Sequence, residues 1–367
     1  MVAVKELTSK EKIWQIARIL IFVLTFLLSL DLMGAALELL GKEQALTVIQ
    51  TASNPFIGLF IGLLVTAIIQ SSSTTTSIAV ALVATGTIQF DTAVPIIMGA
   101  NIGTTITATL VSLAFIGQKK KFKRALSVAL SHHFFNVIVV LLLFPLEYYF
   151  GAISKISLTV TQIFAGGLLD ANVAPNESPA EFSLSLWLVE LTNGFIGLAI
   201  SLILLVFSIK SLAKAVYDLI VSDRSTNYNK FLHNPYRSFS IGLLLTAGIQ
   251  SSSTTTSFAL PFVATGKISV KRIFPFILGA NIGTTLTAFI ATLFKSEVAL
   301  VIAFAHLIFN LAGIMLFLPI VQLRNLPVLI ARRFSALILK HRLLGFIYFI
   351  LIFFVLPFTL IYLNRGN

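Results

Sequence analysis

The sequence predicts an all-α polytopic membrane protein made of two inverted-topology repeats, each with a re-entrant helical hairpin and broken transmembrane helices. Three observations support this prediction. The 367-residue chain is 57% hydrophobic and 11% charged, whereas a soluble domain has about 25% charged residues. Apolar stretches of about 20 residues, the length that crosses a bilayer, recur along the chain. One polar octad, QSSSTTTS, occurs twice inside such stretches, at 70–77 and 250–257.

We predict seven full transmembrane helices in a single transmembrane domain, with the first repeat at 1–209 and the second at 210–367. The helices lie at 13–33, 92–116, 125–146, 184–209, 273–294, 298–320 and 343–363. Two further segments, 148–168 and 322–340, are amphipathic and are predicted to lie along the membrane faces.

The segments 56–88 and 236–266 are predicted to be the re-entrant hairpins. Each carries the octad in its middle. The arm 56–69 would be about 21 Å long as a helix, which is short of a hydrocarbon core of about 30 Å. Irregular polar backbone at that depth is tolerated only where it is buried in protein or lines a watery cavity.

The basic residues predict the orientation of the chain. If the N-terminus is cytoplasmic and both hairpins are re-entrant, 22 of the 26 Lys and Arg lie inside. The segment 170–183, acidic and without a basic residue, then lies outside together with the C-terminus. In this arrangement the two hairpins dip from opposite faces. We therefore expect a multi-pass protein of the cell (inner) membrane.

The composition excludes several other classes of protein. A net charge of +12 can indicate nucleic-acid binding, but the basic residues fall between apolar spans and form no nucleic-acid module. The chain has no cysteine, so disulfides and thiolate metal sites are absent. Because no Walker motif, metal-ligand spacing or nucleophile elbow occurs, neither an enzyme nor ATP-driven transport is expected.

The two copies match closely around the octads. Pairing 54–110 with 234–290 gives 34 identities in 57 positions. GANIGTT follows each octad, and the pairs His132–Asn136 and His306–Asn310 follow later. These histidines either form hydrogen bonds between helices or couple a proton to function. The intramembrane acid Glu190 is a further functional candidate.

The octads have the chemistry of an ion site. Carbonyls at the end of a first arm and nearby hydroxyls suit sodium, while N–H groups at the start of a second arm suit an oxyanion. No charged residue lies within 56–88 or 238–266, so a bound anion would depend on a co-bound cation. The alternative is that these Ser and Thr side chains only join helices together.

At these residues the chain resembles the type II sodium/phosphate cotransporter family, whose repeats each carry QSSS followed by a GANIGT-like segment. The resemblance implies sodium-driven uptake of inorganic phosphate, with no cofactor beyond co-transported Na+, and a minimal bacterial form. The phosphate-binding residues that it implies are Gln70, Ser71, Ser72, Ser73, Thr74, Asn101, Gln250, Ser251, Ser252, Ser253, Thr254 and Asn281. The implied sodium-binding residues are Gln70, Ser73, Thr76, Ser77, Asn101, Thr104, Gln250, Ser253, Thr256, Ser257, Asn281 and Thr284.

Alternatives to this function stay open at this point. A sodium-coupled transporter of another oxyanion or of a dicarboxylate would share the mechanism, and an anion channel would share the polar tips. The expected partners are inorganic phosphate, sodium ions and the lipid bilayer, without nucleic acid. A homodimer is one option for the assembly.

Overall fold

The computed structural model describes residues 9–84, 86–165, 184–222, 233–292 and 297–364. Within these ranges the regular structure is helical, with no strand. Six helical segments in the described residues are long and apolar enough to cross a membrane. The prediction of an all-α polytopic membrane protein is therefore confirmed. The acidic segment 170–183 lies outside the described residues.

We number the helices in chain order. The first half contains α1 (Ser9–Ile49), α2 (Pro55–Ile69), α3 (Ser72–Ala84), α4 (Phe90–Gly103), α5 (Thr105–Ser112), α6 (Lys119–Phe150), α7 (Ala152–Ala165), α8 (Leu184–Thr192) and α9 (Gly194–Ser222). The second half contains α10 (Pro235–Ile249), α11 (Ser252–Ala264), α12 (Val270–Thr292), α13 (Glu297–Phe317), α14 (Val321–Lys340), α15 (Arg342–Ile350) and α16 (Leu356–Leu363). A π-helical segment, Leu351–Val355, joins α15 to α16.

Two helices differ clearly from their predicted bounds. The helix predicted at 13–33 continues to Ile49, because the polar and glycine residues after position 30 lower the hydropathy without breaking the helix. The helix predicted at 184–209 is interrupted at Asn193, whose φ of 79° is left-handed, and α9 then extends to Ser222. Asparagine adopts this conformation at low cost, so the interruption falls at an Asn-Gly pair.

The remaining segments differ by a few residues at their ends. The span predicted at 92–116 is α4, α5 and a 3-10 turn, with only Thr104 between the two helices. The span at 125–146 is the longer α6, and 298–320 corresponds to the shorter α13. The other segments are α12 for 273–294, α15 to α16 for 343–363, α7 for 148–168 and α14 for 322–340.

A buried acid fixes the start of α7. Gly151, with a φ of 59°, ends α6. The carboxylate of Glu147 then accepts the N–H groups of Ile153 at 2.7 Å and Ser154 at 3.1 Å, and also the Ser154 hydroxyl. Amide donors at a helix start favour such a carboxylate. Glu147 is therefore a capping residue rather than part of the candidate site.

Each octad interrupts a pair of helices, α2 with α3 and α10 with α11. The first arms begin at an asparagine cap and a proline, Asn54–Pro55 and Asn234–Pro235, which is a favourable helix start. Each first arm then packs along the helix that carries GANIGTT, α2 on α4 and α10 on α12. Each helix pair, called a hairpin below, is thus held by its own half of the chain, and its polar tip is left for other contacts. That these hairpins are re-entrant stays a prediction.

Candidate functional site

The two hairpin tips share one unusual backbone conformation. Gln70 and Gln250 end α2 and α10 with φ values of 58° and 62°. Their N–H groups donate to the carbonyls of Thr66 and Thr246, at 2.7 and 2.6 Å. A left-handed residue that is not glycine costs about 1 kcal/mol or more. The choice of glutamine over glycine therefore points to a use for its side chain.

A serine starts the second arm of each hairpin. The Ser71 hydroxyl accepts the N–H of Thr74 at 3.1 Å, and the Ser251 hydroxyl accepts the N–H of Thr254 at 3.2 Å. Each is an N-cap, the position at which serine is favoured. The free N–H groups of the first turn of α3 and α11 lie next to these hydroxyls, so each tip presents both donors and acceptors to a solute.

Both tips line a single cavity of about 590 Å³. The first hairpin contributes Gln70 and Ser71, and the second contributes Ser251, Ser253 and Thr254. The cavity therefore brings together polar groups that are about 180 residues apart in the chain. Its size lies within the range of small-molecule sites, about 300–1,000 Å³.

Residues of α1 also line this cavity. Asp31 and Glu38 are among them, together with Gly34 and apolar side chains. No lysine or arginine occurs among the described residues that line the cavity. Two carboxylates and a set of neutral dipoles give the cavity a negative electrostatic character, which favours a cation.

Two side-chain oxygens at this cavity lack a partner in the structure. Gln70 Oε1 and Thr107 Oγ1 are buried and make no hydrogen bond within the described residues. Thr107 is 4% exposed and also lines the cavity. Unpaired buried oxygens cost about 1–3 kcal/mol each, so both suit ligand contact. Thr107 lies two residues after the first GANIGTT motif, and the sequence pattern alone did not identify it as a site residue.

Only some residues implied by the resemblance line the cavity. Those that do are Gln70, Ser71, Ser251, Ser253 and Thr254. Those that do not are Ser72, Ser73, Thr74, Thr76, Ser77, Asn101, Thr104, Gln250, Ser252, Thr256, Ser257, Asn281 and Thr284. Gln250 in particular is exposed, so the structure does not present the two glutamines equivalently.

The asparagines of the two GANIGTT motifs belong to a buried network between the repeats. His132 Nε2 donates to Asn281 Oδ1 at 2.8 Å, and Asn281 Nδ2 donates to Asn136 Oδ1 at 3.0 Å. Asn136 Nδ2 in turn donates to the carbonyl of Asn101 at 2.7 Å. These bonds join α6 and α4 of the first half to α12 of the second, so the pair His132–Asn136 makes interhelical hydrogen bonds.

The corresponding residues of the second copy are used differently. Asn310 Nδ2 donates to Thr285 Oγ1 at 2.7 Å, within the second half of the chain. His306 Nδ1 is buried without a partner in the described residues. Glu190 is exposed on α8 and does not line the cavity. In the part of the chain that the structure describes, the network thus has no symmetric counterpart around His306.

We expect Asn281→Ala to destabilise the protein through this network. The change leaves the His132 Nε2–H group and the Asn136 side-chain oxygen Oδ1 without a partner. Each unpaired buried group costs about 1–3 kcal/mol of stability. Thermal unfolding in detergent measures the loss. Ser131→Ala is the matched control, because Ser131 is equally buried but its hydroxyl donates at 2.7 Å to Val128 in its own helix. Equal melting temperatures for the two variants would contradict the expectation.

The two hairpins are also packed unequally. Ser73 and Ser77 on α3 are exposed, whereas their counterparts Ser253 and Ser257 on α11 are buried. The reason lies in the neighbours, since α11 packs against α5, α6 and α9, while α3 packs mainly on α4 and α13. The structure therefore shows the two copies of one sequence in different surroundings.

Comparison with known proteins agrees with the resemblance that the repeated QSSS and GANIGTT motifs indicate. Residues 25–169 and 204–354 match the family model described as Na+/Pi-cotransporter. The chain is 32% identical to sodium-dependent phosphate transport protein 2A of Ovis aries over 421 residues, covering 92% of this chain and 65% of the relative. The same protein of Mus musculus is 31% identical over 427 residues, covering 94% and 67%.

The likeness extends to a second group of relatives. Sodium-dependent phosphate transport protein 2B of Homo sapiens is 29% identical over 446 residues, which cover 94% of this chain and 64% of the relative. The chain thus spans about two thirds of the length of these curated relatives. No solved structure shows significant similarity to it.

Proposed function

Since the chain belongs to the Na+/Pi-cotransporter family, we propose that it is a sodium-coupled symporter that imports inorganic phosphate across the cell membrane by alternating access. The observation that carries this proposal is the shared cavity at the two hairpin tips. Its lining combines helix-start amides and hydroxyls with the carboxylates of Asp31 and Glu38. The first set suits an oxyanion and the second suits a cation.

The charge of the cavity gives a physical reason for coupling. Phosphate that enters alone meets two carboxylates and no basic side chain among the described lining residues. Sodium ions bound first would offset this repulsion and place positive charge beside the anion. By linkage, phosphate then raises the affinity for sodium by the same factor.

The residues proposed to contact the solutes are those at the cavity. Gln70 and Ser71 of the first tip face Ser251, Ser253 and Thr254 of the second. Thr107 joins this set, because its buried hydroxyl oxygen lacks a partner in the described residues. Asn101 and Asn281 are proposed to support the site by holding the repeats together rather than by contacting the solutes.

The unequal packing of the hairpins supports alternating access. In an inverted-repeat transporter the two copies exchange surroundings when the site opens to the other side. The exposed serines of α3 and the buried serines of α11 fit one such state. With the distribution of basic residues, we infer a cytoplasmic N-terminus, an outside C-terminus and location in the inner membrane. The homodimer stays a proposal.

Uptake into proteoliposomes tests the proposed function. An inward sodium gradient is expected to drive accumulation of radiolabelled phosphate, and an equal potassium gradient is expected to drive none. Liposomes without protein are the control. Uptake at the same rate with either cation would overturn sodium coupling.

Competition separates phosphate from the other substrates. Excess unlabelled phosphate or arsenate is expected to suppress uptake, because both are tetrahedral oxyanions of similar charge, whereas succinate is expected to have little effect. The absence of a basic side chain among the described lining residues disfavours a dicarboxylate, which is usually held by a bidentate arginine. Strong inhibition by succinate would favour the dicarboxylate alternative.

A further inference from the structure

A second cavity, of about 410 Å³, lies at the base of the second hairpin, away from the hairpin tips. Three parts of the chain form it: the start of α6, the turn between α11 and α12, and α14. Its charged lining residues are Lys120, Lys123, Arg124, Lys271 and Arg332. No acidic residue occurs among the described residues that line it. Five cations are thus gathered in one concave space.

The five basic side chains are exposed, so solvent screens part of their repulsion, but their grouping in one concave space still favours an anion. Lys120, Lys123 and Arg124 are three and four residues apart on α6, so they share one helix face. They also lie at the amino end of a 32-residue helix, where the helix dipole is positive and disfavours further cations. An anion in the cavity would offset both the mutual repulsion and the dipole.

Arg124 links the cavity to the hairpin. Its Nη1 donates to the carbonyl of Ala264 over 3.4 Å, at the end of α11. The guanidinium also lies over Gly266, where an added Cβ would be 2.1 Å from Nη1. Gly266 has a φ of 83°, so glycine is needed there for the turn as well as for the close approach of Arg124.

The repeated fold does not by itself require basic residues around this cavity. The corresponding turn of the first hairpin carries Asp91 where the second carries Lys271. The inside preference of basic residues explains why cations occur on this side of the membrane. It does not explain why three separate elements bring these five exposed basic side chains to one cavity.

We infer that this cavity binds a phosphate group, supplied either by the headgroup of an anionic lipid or by free inorganic phosphate. Lysines act as point charges on such a group, and arginine can hold two of its oxygens. Basic pockets between transmembrane helices on the cytoplasmic side have the chemistry that anionic headgroups require. Binding here would hold the base of the second hairpin against α6 and α14.

A pair of matched triple variants tests the inference. The pocket variant is Lys120→Gln, Lys123→Gln and Lys271→Gln. The control variant, Lys119→Gln, Lys121→Gln and Arg333→Gln, removes the same charge from residues outside the cavity lining. Arg124 is kept because it contacts the hairpin. Both proteins are purified in sodium-free potassium buffer, in which the proposed transport site does not retain phosphate.

Two probes identify the source of the phosphate group. One is radiolabelled inorganic phosphate, and the other is phosphatidylglycerol in nanodiscs, compared with phosphatidylcholine, each scored by binding and by thermal unfolding. Wild-type protein is expected to bind at least one probe and to be stabilised by it. The pocket variant should bind about 100-fold more weakly, at about a fivefold loss per lysine, while the control variant changes little.

The outcomes are distinct from those of the transport assay. Binding of phosphatidylglycerol alone would identify a lipid site, and binding of inorganic phosphate alone would identify a site for the free anion. Equal loss in the pocket and control variants, or no binding of either probe to the wild type, would overturn the inference. Neither result depends on sodium-driven uptake, so transport could succeed while this site fails.

Discussion

Gln70→Ala is expected to reduce sodium-driven phosphate uptake by about 10- to 100-fold, the equivalent of about 1.5–3 kcal/mol for a hydrogen bond to a charged group. Gln70 lines the cavity between the tips, and its buried Oε1 has no partner in the described residues. The side chain is therefore available to a solute. Uptake into proteoliposomes at matched protein content measures the effect.

A second substitution separates the side chain from the backbone. Gln70 has a φ of 58°, a conformation that alanine resists and glycine accepts. Gln70→Gly therefore removes the amide and relaxes the turn. If the side chain contacts the solutes, the glycine variant loses uptake as the alanine variant does. Normal uptake by Gln70→Gly would show that glutamine only shapes the turn. Gln50→Ala, in an exposed turn after α1, is the control.

Gly99→Ala is expected to prevent assembly of the first repeat. A Cβ at Gly99 would lie 1.9 Å from the backbone oxygen of Leu59, and one at Gly62 would lie 1.8 Å from that of Ile96. Backbone atoms cannot turn aside as a flexible side chain can, so α2 and α4 would have to separate. Overpacking of this kind costs about 1–3 kcal/mol, and more where the backbone must move.

The second repeat offers an independent copy of this test. A Cβ at Gly279 would lie 1.9 Å from the backbone oxygen of Phe239, so Gly279→Ala should be equally damaging. Size-exclusion profiles and melting temperatures in detergent measure folding. Gly117→Ala is the control, because no described heavy atom beyond its chain neighbours lies within 4 Å of its added Cβ. Wild-type melting of Gly99→Ala would refute this account of the helix contact.

Parts of the site followed from the sequence because they depend on local chemistry. The polar octads predict breaks in apolar helices, and the structure has helix ends at Gln70 and Gln250. Serine after each break predicts an N-cap, which Ser71 and Ser251 provide. These features need only neighbouring residues, so the linear pattern was sufficient.

Other parts could not be predicted because they depend on distant segments. The sequence alone assigns Asp31 and Glu38 no role in the site, yet they line the cavity. The resemblance implies that Asn281 binds the solutes, and only the structure shows that both ends of its side-chain amide bond to α6. Periodicity assigns a residue to a helix face, but it does not determine which helix that face contacts.

The duplicated sequence by itself determined the membrane class, the family resemblance and the two polar tips, because hydropathy, helix capping and motif spacing are properties of short segments. Only the tertiary structure decided which tip residues meet, which glutamine lines the cavity and where the carboxylates lie. The two identical octads occupy different surroundings because α11 packs on α5, α6 and α9, while α3 packs mainly on α4 and α13 and leaves Ser73 and Ser77 exposed. The physical reason is that burial depends on neighbours from the other half of the chain, which a repeat does not encode.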